Sequence, residues 1–115
     1  MIWKRRRWLG VAGILSLASA NCSNGEVETQ TAASRGEAIY RSACITCHAA
    51  DPSQDGNIGP AIAGSSEQLL RLKLAKGAYP PGYPPKRASK LMPNFKYLEE
   101  YSGDIAAFLQ ESEGS

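Results

Sequence analysis

Three stretches of the chain carry apolar side chains at helical spacing. Ser34-Arg35-Gly36-Glu37 has the serine and glutamate of a capping box, with Ser34 as N-cap, which predicts a helix from Arg35 to near His48. Ile39, Ala43 and Cys47 fall on or near one face, with Gly36 and Tyr40 on a neighbouring stripe. A second helix is predicted from Ser65 or Ser66, with Leu69, Leu70, Leu72 and Leu74 as its apolar side and Gly77 as its C-cap. A third is predicted from about Leu98 to Glu111, with Tyr101, Ile105, Phe108 and Leu109 in one buried stripe. Residues 51–65 are rich in Asp, Gly, Asn and Pro and predict a loop. Four prolines between Tyr79 and Pro85 exclude regular structure there. No segment alternates with the period of a strand, so the expected class is all-α.

The first twenty residues, MIWKRRRWLGVAGILSLASA, have a different pattern. Lys4, Arg5, Arg6 and Arg7 precede a short apolar run from Trp8 to Leu17, and Ala18-Ser19-Ala20 is a small-residue cleavage pattern. This is the layout of a secretory signal peptide, and the run is short for a membrane span. The expected organisation is a signal at 1–20, a flexible linker at 21–33 and one folded domain at 34–113. Thirteen basic and eleven acidic side chains give the whole chain a charge of +2. Four of the basic ones lie in the signal, so the remainder has nine against eleven and is slightly acidic. The basicity is a targeting feature and gives no argument for nucleic acid.

Export places the three cysteines, Cys22, Cys44 and Cys47, in an oxidising compartment where thiols usually pair. The odd one is Cys22, beside the signal boundary. Two readings stand: a lipid-bearing N-terminus that tethers the domain to a membrane, or cleavage after Ala20 that leaves a free thiol. The polar SNGEVETQTAAS that follows suits a tether. Asn21 and Ser19 fit the lipidation pattern poorly.

The expected domain has about 80 residues. A domain that small buries little surface and usually needs a disulfide, a metal or a cofactor to hold it. Residues 44–48, CITCH, offer the means, and His48 is the chain's single histidine. Three chemistries compete for this motif. Zinc wants four ligands, and Cys44, Cys47 and His48 make three. A thioredoxin-type dithiol belongs beside a βαβ pattern, which is missing. Covalent haem attachment uses C-x-x-C-H: two cysteines at i and i+3 share a helix face and each form a thioether, and the adjacent histidine lies beneath the iron. Met92 is the one methionine beyond the initiator. It lies in a loop with Pro93 behind it, a setting that suits a second axial ligand better than a core residue. A thioether opposite histidine raises the reduction potential and closes the iron to other ligands.

Gly36-x-x-x-Tyr40 ahead of CITCH, then IGPAIAG, LMPNF and DIAAFL in order, resemble the class I monohaem c-type cytochromes in their small bacterial form. The likeness covers roughly residues 35–112. It implies three to five helices around one covalently attached haem c, with first and last helices crossing. Gly36 would permit their close approach, and Tyr40 and Phe108 would pack at the crossing. It also implies Cys44, Cys47, His48, Met92, Gly59 and Pro60 as the haem-binding set, with His48 and Met92 on the iron. The Pro60 carbonyl would accept a hydrogen bond from His48 Nδ1 and leave Nε2 for the metal. Many relatives carry a tryptophan near a haem propionate; here Tyr79, Tyr83, Lys86 and Arg87 are the candidates for that place. The segment from Tyr79 to Pro85 departs from the family pattern, as a stiffener of the Met92 loop or as a docking surface. Haem attachment after translocation of an unfolded chain favours general secretion over the twin-arginine route.

The main functional expectation is a periplasmic electron carrier, soluble or lipid-anchored, and not an enzyme. Arg71, Lys73, Lys76, Lys86, Arg87 and Lys90 are expected either to ring the exposed haem edge and steer an acidic redox partner or to form an ordinary solvated face. Two other classes remain: a gas-binding or sensing haem domain with an open sixth position, and an electron-transfer subunit of a larger oxidoreductase.

Overall fold

The computed structural model describes residues 29–115. The expected signal at 1–20, Cys22 and most of the expected linker at 21–33 lie outside the described residues. Three α-helices follow: α1, Ala32–Ala43; α2, Glu67–Lys76; and α3, Ser102–Glu111. A short 3₁₀ helix, Lys96–Tyr101, leads directly into α3. No strand occurs among the described residues, so the all-α expectation holds.

Helix α1 starts earlier than Ser34. Thr31 is the cap, and its hydroxyl accepts from the Ser34 N–H at 3.1 Å. Glu37 does not reach back to Ser34; it pairs with Arg41 one turn on, at 2.9 Å. Helix α1 therefore takes in Ala32 and the buried Ala33, at the end of the stretch expected as linker. The helix proper stops at Ala43, short of His48. One further turn continues it, in which the Cys44 carbonyl accepts from the N–H groups of Cys47 (3.2 Å) and His48 (2.9 Å).

Helix α2 has the expected ends. The Ser66 hydroxyl accepts from the Leu69 N–H, and Gly77 closes the helix at φ +65°, where a side chain would be strained. Leu70 and Leu74 are its buried positions.

The crossing of α1 and α3 is the most extensive pairing in the fold. Gly36 makes it possible: a β-carbon there would lie 1.9 Å from the Asp104 carbonyl oxygen. The rings of Tyr40 and Phe108 pack beside it with centroids 5.3 Å apart. Tyr40, Leu70, Leu74, Leu98, Ile105, Ala106 and Leu109 form the core. Tyr101 does not join the expected stripe; it is 39% exposed. It ends the 3₁₀ helix, whose three-residue turn moves it off the line that Ile105 and Leu109 follow.

Candidate functional site

One cavity of roughly 390 Å³ opens between the turn after α1, the loop before α2, α2 itself and the loop leading to the 3₁₀ helix. Its walls are mostly apolar. Cys44, Cys47, His48, Gly59, Pro60 and Met92 all line it. These six residues come from three separate segments of the chain and meet at one place.

Each is held there by local structure. Cys44 is the C-cap of α1, and burial pushes its thiol up to about 11, so it stays un-ionised near neutrality. Cys44 and Cys47 are free and not joined to one another. His48 Nδ1 and the Pro60 carbonyl oxygen are 2.8 Å apart; in the tautomer protonated at Nδ1 the ring donates to that carbonyl, which leaves Nε2 a lone pair. The ring sits against Gly59, where a β-carbon would come within 2.5 Å of Cε1 and 2.6 Å of Nδ1. Backbone bonds fasten this loop to the motif: Gly59 and Ile58 both donate to the Cys47 carbonyl, at 2.8 and 3.3 Å. The buried Tyr40 ties α1 to the chain after the motif, donating its hydroxyl to the Ala49 carbonyl at 2.5 Å. Burial raises the Tyr40 phenol to about 12, so it remains a donor.

Met92 approaches from a loop that leaves α2 at Gly77 and returns beside it, where the Phe95 N–H donates to the Leu74 carbonyl at 2.9 Å. Within that loop Tyr79 and Tyr83 stack, with centroids 5.5 Å apart and planes 6° from parallel. Lys73 Nζ stands 4.3 Å from the Tyr79 ring centroid and 3.1 Å from its hydroxyl.

The basic residues separate into groups. Lys73, Lys86 and Arg87 line the cavity, together with Tyr79 and Tyr83. Arg71 does not: it pairs with Glu67 and borders a different hollow beside Lys96 and Tyr97. Lys76 and Lys90 are exposed outside both. Of the six basic residues, three thus gather at the cavity.

Among the described residues no group of three or more His, Cys, Asp or Glu side chains is gathered to hold a bare metal ion. The donor set fits haem instead. Two unpaired thiols, an imidazole with a free Nε2 and a thioether border one apolar cavity.

The chain is similar to a protein described as a cytochrome bc1 complex cytochrome c subunit, from Corynebacterium efficiens. Identity is 28% over 109 residues, which cover 92% of this chain and 36% of the relative. The chain thus spans about a third of that relative's length. The similarity supports a cytochrome c-type protein. No protein-family model matches the chain, and no solved structure does.

The motif, Met92 and the Gly59-Pro60 pair were all visible in the sequence. The Tyr40–Ala49 bond and a link from Asp55 to Ala61 were not. Their partners share no local pattern, and only the folded loop brings them together.

Proposed function

We propose that this chain is an exported electron carrier of the monohaem c type. Cys44 and Cys47 would hold haem c through two thioethers, with His48 and Met92 as axial ligands. When bound, the haem supplies a one-electron ferric–ferrous couple. The protein's part is to fix both ligands, keep water from the cavity and leave one edge open to partners. Pro60 orients His48, and Gly59 leaves room for its ring. Tyr79 and its neighbours brace the loop that carries Met92. Lys73, Tyr79, Tyr83, Lys86 and Arg87 supply a polar, basic side to an otherwise apolar cavity, which suits the propionate edge of a haem. Lys86 and Arg87, exposed there, and Lys90 nearby in sequence would attract an acidic partner. The signal-like N-terminus and Cys22 favour the periplasm, with or without a lipid tether.

The observation that carries this reading is the convergence of Cys44, Cys47, His48 and Met92 on one apolar cavity. The likeness to a cytochrome c subunit supports electron transfer more generally. The test is the absorption spectrum of the matured, oxidised protein together with its mass. Covalent haem and a weak far-red sulfur-to-iron band, lost in Met92→Ala, are expected. Covalent haem without that band would favour the gas-binding reading.

The relative's description favours a second reading, in which the chain serves as the electron-transfer subunit of a larger oxidoreductase. Co-purification of stoichiometric partners from gently solubilised membranes would support it.

A further inference from the structure

One acidic side chain reaches the histidine's hydrogen-bond partner from behind. Asp55 Oδ1 accepts the Ala61 N–H at 2.8 Å. That N–H belongs to the same peptide unit as the Pro60 carbonyl, which lies 2.8 Å from His48 Nδ1. The amide therefore stands between a carboxylate and an imidazole, donating its N–H to the first and accepting at its oxygen from the second. Amide resonance couples its two ends: a charge drawn to the N–H raises the electron density on the oxygen. A more negative oxygen draws harder on the Nδ1 proton and makes Nε2 a stronger donor.

We propose that Asp55 is a positioning and tuning residue for His48, acting through the Pro60–Ala61 peptide. The loop that carries Met92 is fastened to the same spot. Arg87 Nη2 lies 3.6 Å from Asp55 Oδ1, and Lys86 Nζ donates to the Ala61 carbonyl at 2.7 Å. The two sides of the cavity thus meet at one dipeptide, and Arg87 moderates the charge that Asp55 presents. The Ala61 N–H, ahead of the nearby cations, holds the Asp55 carboxyl below its ordinary range, so the group is ionised at neutral pH.

The inference rests on ligation by His48, and its test is built to fail separately. Matured ferrous protein is prepared as wild type, Asp55→Asn, Asp55→Ala and Arg87→Gln. Two quantities are read: the NMR shift of the His48 Nδ1 proton and the reduction potential. Asparagine keeps an acceptor for the Ala61 N–H and removes only the charge. The expected result for Asp55→Asn is an upfield move of the Nδ1 proton with a higher potential. Arg87→Gln should move both the opposite way. If Asp55→Asn matches wild type in the proton shift while Asp55→Ala does not, Asp55 merely shapes the turn and the proposal is overturned. A change in potential with no change in the proton shift would also overturn it, because a through-space field needs no relay. Absence of a ligated His48 signal in wild type would instead bring down the haem reading itself.

Discussion

Replacing Gly36 by alanine tests the helix crossing on which the cavity is built. The new β-carbon would stand 1.9 Å from the Asp104 carbonyl oxygen, 2.4 Å from its carbon and 2.9 Å from Ile105 Cα. All three obstacles are backbone, so no side chain can swing aside. Ordinary contact begins near 3.4 Å, which leaves a deficit of about 1.5 Å for α1 and α3 to absorb by separating. A gap of about 0.5–1 Å already forfeits a quarter to a half of each dispersion contact across an interface. Tyr40, Ile105 and Leu109, all fully buried here, would bear that loss. Overpacking of this kind costs about 1–3 kcal/mol, and rigid obstacles place it near 3. Alanine's better helix propensity offsets about 1 kcal/mol. The net loss of about 2 kcal/mol corresponds to a fall in Tm of about 8–16 °C for a domain this small. The assay is thermal unfolding of the matured protein followed by far-UV circular dichroism. Gly103→Ala is the control, because its β-carbon meets only the Glu67 side chain at an ordinary 3.5 Å. If Gly36→Ala melts within about 3 °C of wild type while the control does the same, the crossing is looser than its geometry implies and the reasoning fails.

Three further perturbations follow from the same structure. Tyr40→Phe leaves the Ala49 carbonyl without its 2.5 Å donor and should lower stability by about 1–2 kcal/mol, read as a shift in the urea midpoint at constant m-value; an unchanged midpoint would argue against it. Gly59→Ala pushes the His48 ring off the Pro60 carbonyl, so the fraction of chain recovered with covalent haem by mass spectrometry should fall; normal yield with an unshifted Nδ1 proton would remove the steric argument. Asp104 has its carboxyl held below the usual range, first by the side-chain hydrogen bond from Arg35. A depressed folded pKa means the contribution is present above the unfolded value of about 3.9 and lost as pH falls through the folded one. Tm should therefore drop below pH ~4, and Asp104→Asn should drop less; parallel acid limbs for the two proteins would contradict this assignment.

The fold was legible where its signals are local. Ser66 and Gly77 bracket α2 because a cap needs only a hydroxyl at one end and a left-handed glycine at the other. The start of α1 is not legible in the same way, because Ser34 and Glu37 have capping-box spacing while Thr31, just upstream, makes the actual cap. Spacing alone cannot say which of two hydroxyls wins. The last helix is legible but its opening 3₁₀ segment is not, since turns of three and of nearly four residues look alike over so short a stretch. At the candidate site the motif residues and Met92 could be named in advance because their chemistry restricts which side chains can serve. The six basic residues could not be sorted, because α2 presents Lys73 and Arg71 to different sides and the sequence shows them only as neighbours. Contacts such as Asp55 with Ala61 depend on how a loop closes, and no local pattern encodes them.

The loop between Gly77 and Phe95 leaves and rejoins the fold at the end of α2. A side chain at Gly77 would run into Asn94, so the two ends of the loop are adjacent. Such an arrangement closes the loop on itself at the end of α2. Extra residues at its exposed Gly82 turn would lengthen a closed excursion, and doubling a flexible loop costs only about 0.6 kcal/mol in closure entropy. The buried core of α1, α2, Leu98 and α3 lies away from that turn, although Met92 and Phe95 pack against that core. Met92 is thus carried on an excursion of the chain, while His48 follows directly on the turn that continues α1. Variation at that turn acts first on the Met92 side of the cavity and reaches the His48 side through the contacts of Lys86 with Ala61 and of Arg87 with Asp55.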